Sequence, residues 1–238
     1  MPFIENTIEE TAKAGGVLMI PAFSMERTQK LLFEINELVE NGRVPKMPVF
    51  LDSPLAIKIT EVYKRYQNYF DKETLNLLNK DKMLFDFPGL RKTLTSEESK
   101  SINNVLPPKI IIAGSGMSQG GRILHHEKRY LPDPKSTILF VGYQSKNSLG
   151  RKIMEGEPIV KIHGEDVPVR CRRIVAEEYS AHADQNQLLE WLRPMRLTLK
   201  KVFVVQGEED ESSALSQKII NDLAVHAEIP EGQKNYDL

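Results

Sequence analysis

The chain carries one cysteine, Cys171, among 238 residues, so no internal disulfide can brace it and stability must come from a buried core. Cys171 itself reads as a half-buried strand residue. No apolar run approaches the ~18 residues that span a bilayer, and no charged-then-apolar leader with a small-residue cleavage site is present. The default expectation is therefore a cytoplasmic protein with no membrane partner. A net charge of −1 excludes a protein that is basic throughout, while leaving room for a local basic groove. There is no repeat at a period of 20–50 residues and no low-complexity tract.

What is present is an alternation of short apolar runs with amphipathic helices, the pattern of a parallel sheet. GGVLMIPA (15–22), MPVFLDSP (47–54) and PPKIIIAGSG (107–116) read as buried strands. Pro54 suits a first helical turn, and Thr95 with Glu98 forms a capping-box pattern. Beyond STILFVGYQ the run EPIVKIHGEDVPVRCRRIVAEEY (157–179) alternates more strictly, predicting antiparallel hairpin strands with one wet face. Two βα units close the chain. LPDPKS marks a boundary near residue 135, giving domains 1–135 and 136–238.

Three stretches carry candidate chemistry. AGSGMSQGGRI (113–123) places four glycines and two serines between a strand and a helix. Such a loop either lets backbone N–H groups cradle an anion or is a structural βα turn, with Arg122, Lys128 and Arg129 able to add positive charge. Its spacing matches neither the triphosphate P-loop nor the dinucleotide fingerprint, which disfavours a Rossmann-like nucleotide binder. The neighbouring His125 and His126 point about 100° apart and read as solvated helix residues; His163 and His226 read as surface residues. In YSAHAD, small alanines leave His182 unshielded and Asp184 stands at a helix entrance, a cap or a partner for a proton-trading imidazole. VVQGEED ends a buried strand at Gln206, and by itself reads as a turn with helix-capping acids.

Taken in order, VLMIPAFSMERTQKLL, VFLDSPLA, IIAGSGMSQGGRILHHEKRYLPDPKSTILFVGYQSKNSLGRKI and YSAHADQNQLLEWL resemble the β-CASP nucleases of the metallo-β-lactamase superfamily over roughly residues 10 to 224. The resemblance implies an α/β protein. Its parallel-sheet β-CASP domain with flanking helices (1–135) would precede the C-terminal part of a metallo-β-lactamase αββα sandwich with an RNA-specificity segment (136–238). It implies a zinc-dependent ribonuclease acting on single-stranded RNA. His182 would meet the scissile phosphate and protonate the leaving oxygen, with Asp184 orienting it or capping its helix. Ser115, Ser118, Gly120, Arg122 and Ser180 would line the substrate cleft.

Two departures accompany the resemblance. RNA-cleaving members carry a zinc-ligating histidine where this chain has Gln206, a weaker ligand. Their His-x-His-x-Asp-His cluster occurs nowhere in the chain. The expectation is therefore a fragment of a two-zinc enzyme, inactive and binding no zinc alone, whose partner is the missing N-terminal half; a homodimer stays open. The alternative is a non-catalytic RNA-binding or scaffold paralogue.

Overall fold

The computed structural model describes residues 2–70, 72, 74–75, 84–176, 179, 182–232 and 234–236. Two compact units divide the chain, 1–180 and 181–238.

The first unit is built on a six-stranded parallel sheet ordered β3-β2-β4-β1-β5-β8. Its strands are β1 (Val17–Pro21), β2 (Val49–Asp52), β3 (Leu90–Lys92), β4 (Lys109–Ala113), β5 (Thr137–Phe140) and β8 (Arg172–Val175). The four inner strands are buried at every residue, as a parallel sheet covered on both faces requires. Because side chains alternate along a strand, β1 feeds two cores. Leu18 and Ile20 pack with Ile4, Ile8, Leu31 and Ile35 from helices α1 (Pro2–Ala14) and α2 (Arg27–Glu40). Val17 and Met19 join Ile123, Ile138 and Ile153 on the other face, with α5 (Ile123–Tyr130) and α6 (Leu149–Glu155).

Local rules set the helix starts. Ser53 caps α3 (Pro54–Arg65) by accepting from the Ala56 N–H, and Pro54 occupies the first turn where no N–H is needed. Thr95 and Glu98 form the expected capping box of α4 (Ser96–Ser101).

The predicted hairpin is β6 (Ile159–Ile162) with β7 (Glu165–Pro168), antiparallel. His163 and Gly164 both hold positive φ at its tip, the geometry that matches strand twist in a two-residue turn. The third segment of that run corrects the sequence reading: β8 is not antiparallel but pairs parallel with β5, from Thr137↔Arg172 to Phe140↔Val175. β8 lies at the edge of the sheet and is largely exposed, so it lacks the continuous apolar run of the inner strands that would have marked it as parallel. β5 and β8 share the sheet of β1, so the expected division at residue 135 does not coincide with the division of the compact units.

The second unit holds α7 (Gln185–Leu192), α8 (Glu209–Leu223), and β9 (Val202–Phe203) paired parallel with β10 (Ala227–Glu228). Leu189, Leu192, Val204, Ile219 and Leu223 form its small core. Among the described residues no helix is long and apolar enough to cross a membrane.

Candidate functional site

In an open parallel sheet, ligand sites gather beyond the carboxyl ends of the strands. Here β2 ends on Asp52, in register with Ala113 at the end of β4, which is also in register with Pro21 of β1. Asp52 has no solvent exposure. Its Oδ1 accepts from Thr93 Oγ1 (2.6 Å) and Arg122 Nη1 (2.8 Å), and its Oδ2 from Ser99 Oγ (2.7 Å). His126 Nε2 lies 2.7 Å from Oδ2. Burial would raise this carboxyl's pKa, and the hydrogen bonds from His126, Ser99, Thr93 and Arg122 reverse that, holding it well below the usual carboxylate range. A carboxylate only accepts, so Nε2 of His126 carries the proton. The ring's Nδ1 is buried without a hydrogen-bond partner.

His126 is therefore 2% exposed and corrects the reading of both helix histidines as solvated. His125 is the solvent-facing one, its ring 4.8 Å from that of His163. Burial, then the neighbouring histidines, lower the pKa of His125. Ser96, Ser99, Lys100, Asn103, Arg122 and His126 line a cavity of about 250 Å³ beside this hub.

The glycine loop leads from β4 to α5 and is largely occupied with its own geometry. The Ser115 N–H donates to Gly120 O (3.0 Å), the Ser118 N–H to Ser115 O (3.2 Å), and the Gln119 N–H to Ser115 Oγ (3.0 Å). Gly121 has φ +75°, and a Cβ there would lie 2.4 Å from the Gly114 carbonyl oxygen, so glycine is required for the close approach. Ser118 is buried and donates its hydroxyl to Glu127. Glu127 is itself fully buried, its Oε2 unpartnered, and burial pushes its pKa up to about 8. Gly120 faces open space.

Arg122 borders the cavity beside Asp52 with its guanidinium already engaged. Besides Asp52, it donates to Thr93 O (2.9 Å) and Leu94 O (2.9 Å). Lys128 is paired with Glu165 at 2.6 Å. The positive charge expected around the loop is thus offset at two of its three sources.

In the second unit, His182 is exposed. Asp184 is the N-cap of α7: its Oδ1 accepts from the Gln187 N–H (2.8 Å) while Gln187 Oε1 accepts from the Asp184 N–H (2.9 Å). Ser180 lies outside the described residues. Gln206 is exposed with φ +64°.

The comparisons decide the lineage. Residues 28–153 match the Beta-Casp domain model, more than half of the chain. The chain belongs to the β-CASP family of metallo-β-lactamase-type nucleases. Residues 166–230 of this β-CASP protein match the Zn-dependent metallo-hydrolase RNA specificity domain. It is 38% identical over 210 residues to Ribonuclease TTHA0252 of Thermus thermophilus, covering 88% of this chain and 47% of that protein. It is 31% identical to an RNase J-like protein of Methanocaldococcus jannaschii, covering 94% of this chain and 50% of that one. With Transcription termination factor FttA of Thermococcus kodakarensis the identity is 29%, over 94% of this chain and 35% of the relative. The chain spans about half the length of the first two.

Zinc belongs to the family, and a zinc centre takes four donors, chiefly His, Cys and carboxylate. Among the described residues no group of three or more His, Cys, Asp or Glu could hold a metal ion, and Gln206 offers only a neutral amide. The described residues by themselves do not fit a zinc centre.

Proposed function

We propose that this chain forms the β-CASP and RNA-specificity portions of a metal-dependent ribonuclease that cuts single-stranded RNA, and that the metal ligands come from protein beyond these 238 residues. The observation carrying this reading is the tandem match to the β-CASP and RNA-specificity models over residues 28–153 and 166–230. Two features of the second unit support it. A two-stranded parallel pair is not a self-sufficient sheet, because parallel strands are found covered on both faces within larger sheets. Large apolar side chains stay exposed, with Trp191 at 68% and Leu197 at 89%, and these suit burial against further protein.

In this reading His182 delivers a proton to the leaving oxygen, a task suited to imidazole near neutral pH. Asp184 acts by fixing the helix entrance behind it. The cap is built on the six-stranded sheet of the first unit, β5 and β8 included, and the chain beyond it serves the hydrolase half and its RNA specificity. Ser115, Gly120 and the backbone around them line the path of the strand. The experiment is zinc content and cleavage of single-stranded RNA by the full-length protein. Bound zinc with cleavage upholds the reading, and RNA binding without either overturns it.

A second reading is favoured by Gln206, which stands where the family's zinc-ligating histidine is expected: a non-catalytic RNA-binding or scaffold paralogue. It expects no tightly held metal and no cleavage in the same experiment.

A further inference from the structure

A second cavity, of about 260 Å³, opens at the carboxyl ends of β5 and β8. Met154, Val175 and Ala176 give it apolar walls, and Tyr143 and Arg151 complete the lining. Tyr143 is 54% exposed, an aromatic face held partly in water at a strand end. The Arg151 guanidinium is held by Glu155 Oε1 (2.5 Å from Nε) and by the Gln144 carbonyl (3.3 Å from Nη1), so its plane is set before any ligand arrives.

The wall of this cavity is tied to the glycine loop. Gln144 Nε2 donates to Gly116 O (2.9 Å) and Gly142 O (3.0 Å), the Gly150 N–H donates to Met117 O (3.1 Å), and Ser145 Oγ lies 3.3 Å from Met117 Sδ. A ligand in the cavity would thus touch Gln144, whose amide is bonded to the loop.

The lining selects the chemistry. A phosphate would leave the methionine, valine and alanine walls unused and would meet an arginine already paired with Glu155, and an aliphatic group would offer no acceptor to the N–H groups at the rim. A flat, neutral heterocycle with carbonyl or ring-nitrogen acceptors on its rim uses both: its face lies on the tyrosine and its rim meets the arginine. We propose that this cavity holds one unstacked nucleobase of a single-stranded RNA, with Tyr143 as its stacking platform and Arg151 as the donor to its edge. The inference rests on the RNA reading above and adds the place where a base, rather than the backbone, is recognised.

The test measures equilibrium binding of the intact protein to a single-stranded RNA of about ten nucleotides, within the usual site size of such clefts, and to a series in which one position at a time is abasic. Tyr143→Ala should weaken binding of the unmodified RNA about tenfold, the loss of one base–aromatic stack. Tyr143→Phe should retain it. One abasic position should weaken wild-type binding by the same factor and have no further effect in Tyr143→Ala, because both changes remove the same contact. If Tyr143→Ala binds RNA as wild type does, or every abasic loss adds fully to it, the base pocket is wrong while the RNA reading stands. If Tyr143→Ala lowers the melting temperature and leaves binding intact, the cavity is filled by protein and the proposal is overturned. If the wild-type protein binds no RNA, the RNA reading and the pocket fall together.

Discussion

Asp52 and His126 meet through a 2.7 Å hydrogen bond with the carboxylate wholly buried and the imidazole nearly so. The pair joins the end of β2 to α5, and Arg122 adds the end of the glycine loop to the same carboxylate. The loop that the sequence marks as chemically interesting is therefore anchored by a charge the sequence does not mark.

Removing that charge should be costly. Asp52→Asn leaves the Arg122 guanidinium without its counter-charge, and breaking such a pair typically costs about 3–5 kcal/mol. Asp52 has a folded pKa below its unfolded value. Its contribution is therefore complete above about pH 4 and is lost as the pH falls further, through the folded value. Urea unfolding from pH 7 down to pH 3 should show a falling limb in the wild type that is shallower in Asp52→Asn. Equal slopes would show that Asp52 is not the responsible group.

Glu127 works in the opposite sense. Its folded pKa of about 8 lies above the unfolded value, so the folded state holds a proton that the unfolded chain releases. Its contribution to stability therefore declines from about pH 4.5 to about pH 8 and levels off above that. Glu127→Gln keeps an acceptor for Ser118 without the ionisation, and should gain stability over wild type by a few kcal/mol at pH 8 and by little at pH 5. Thermal unfolding at the two pH values checks this. A gain that does not depend on pH rules the explanation out.

His182→Ala in the full-length protein should lower RNA cleavage by about 10²–10⁴-fold, the usual share of a positioned proton donor, with RNA affinity changed only a few-fold. Single-turnover cleavage beside equilibrium binding separates the two quantities. Cleavage at the wild-type rate would falsify the assignment.

Asp184→Ala should cost about 1 kcal/mol of stability through loss of the N-cap, and Asp184→Asn, which still caps, should restore most of it. If Asp184 instead orients His182 directly, Asn restores stability but not the cleavage rate, which makes the comparison decisive between the two roles.

Gln206→His exchanges a neutral amide for imidazole, and should tighten zinc binding by the full-length protein in a chelator competition. Unchanged affinity would place Gln206 outside the metal's reach.

Much was legible before any coordinate. The inner strands announced themselves as uninterrupted apolar runs, Thr95 with Glu98 announced a cap, and the motif order announced the family. His126 was legible in principle: Ile123, His126 and Glu127 fall on the buried side of one helix, and that spacing turns His126 inward while His125 points out. The spacing of His125 and His126 relative to each other says nothing of which one faces the core; only their spacing from Ile123 and Glu127 does.

Pattern and spacing along the chain determined the sheet type, the turns, the caps and the lineage, because each depends on residues a few positions apart. Tertiary structure alone decided that Asp52 binds His126 and Arg122 some seventy positions on, that β8 lies parallel to β5, and that Tyr143 and Arg151 flank one cavity. Those outcomes depend on which strands become neighbours, and a burial pattern read along one strand does not say which strand lies beside it.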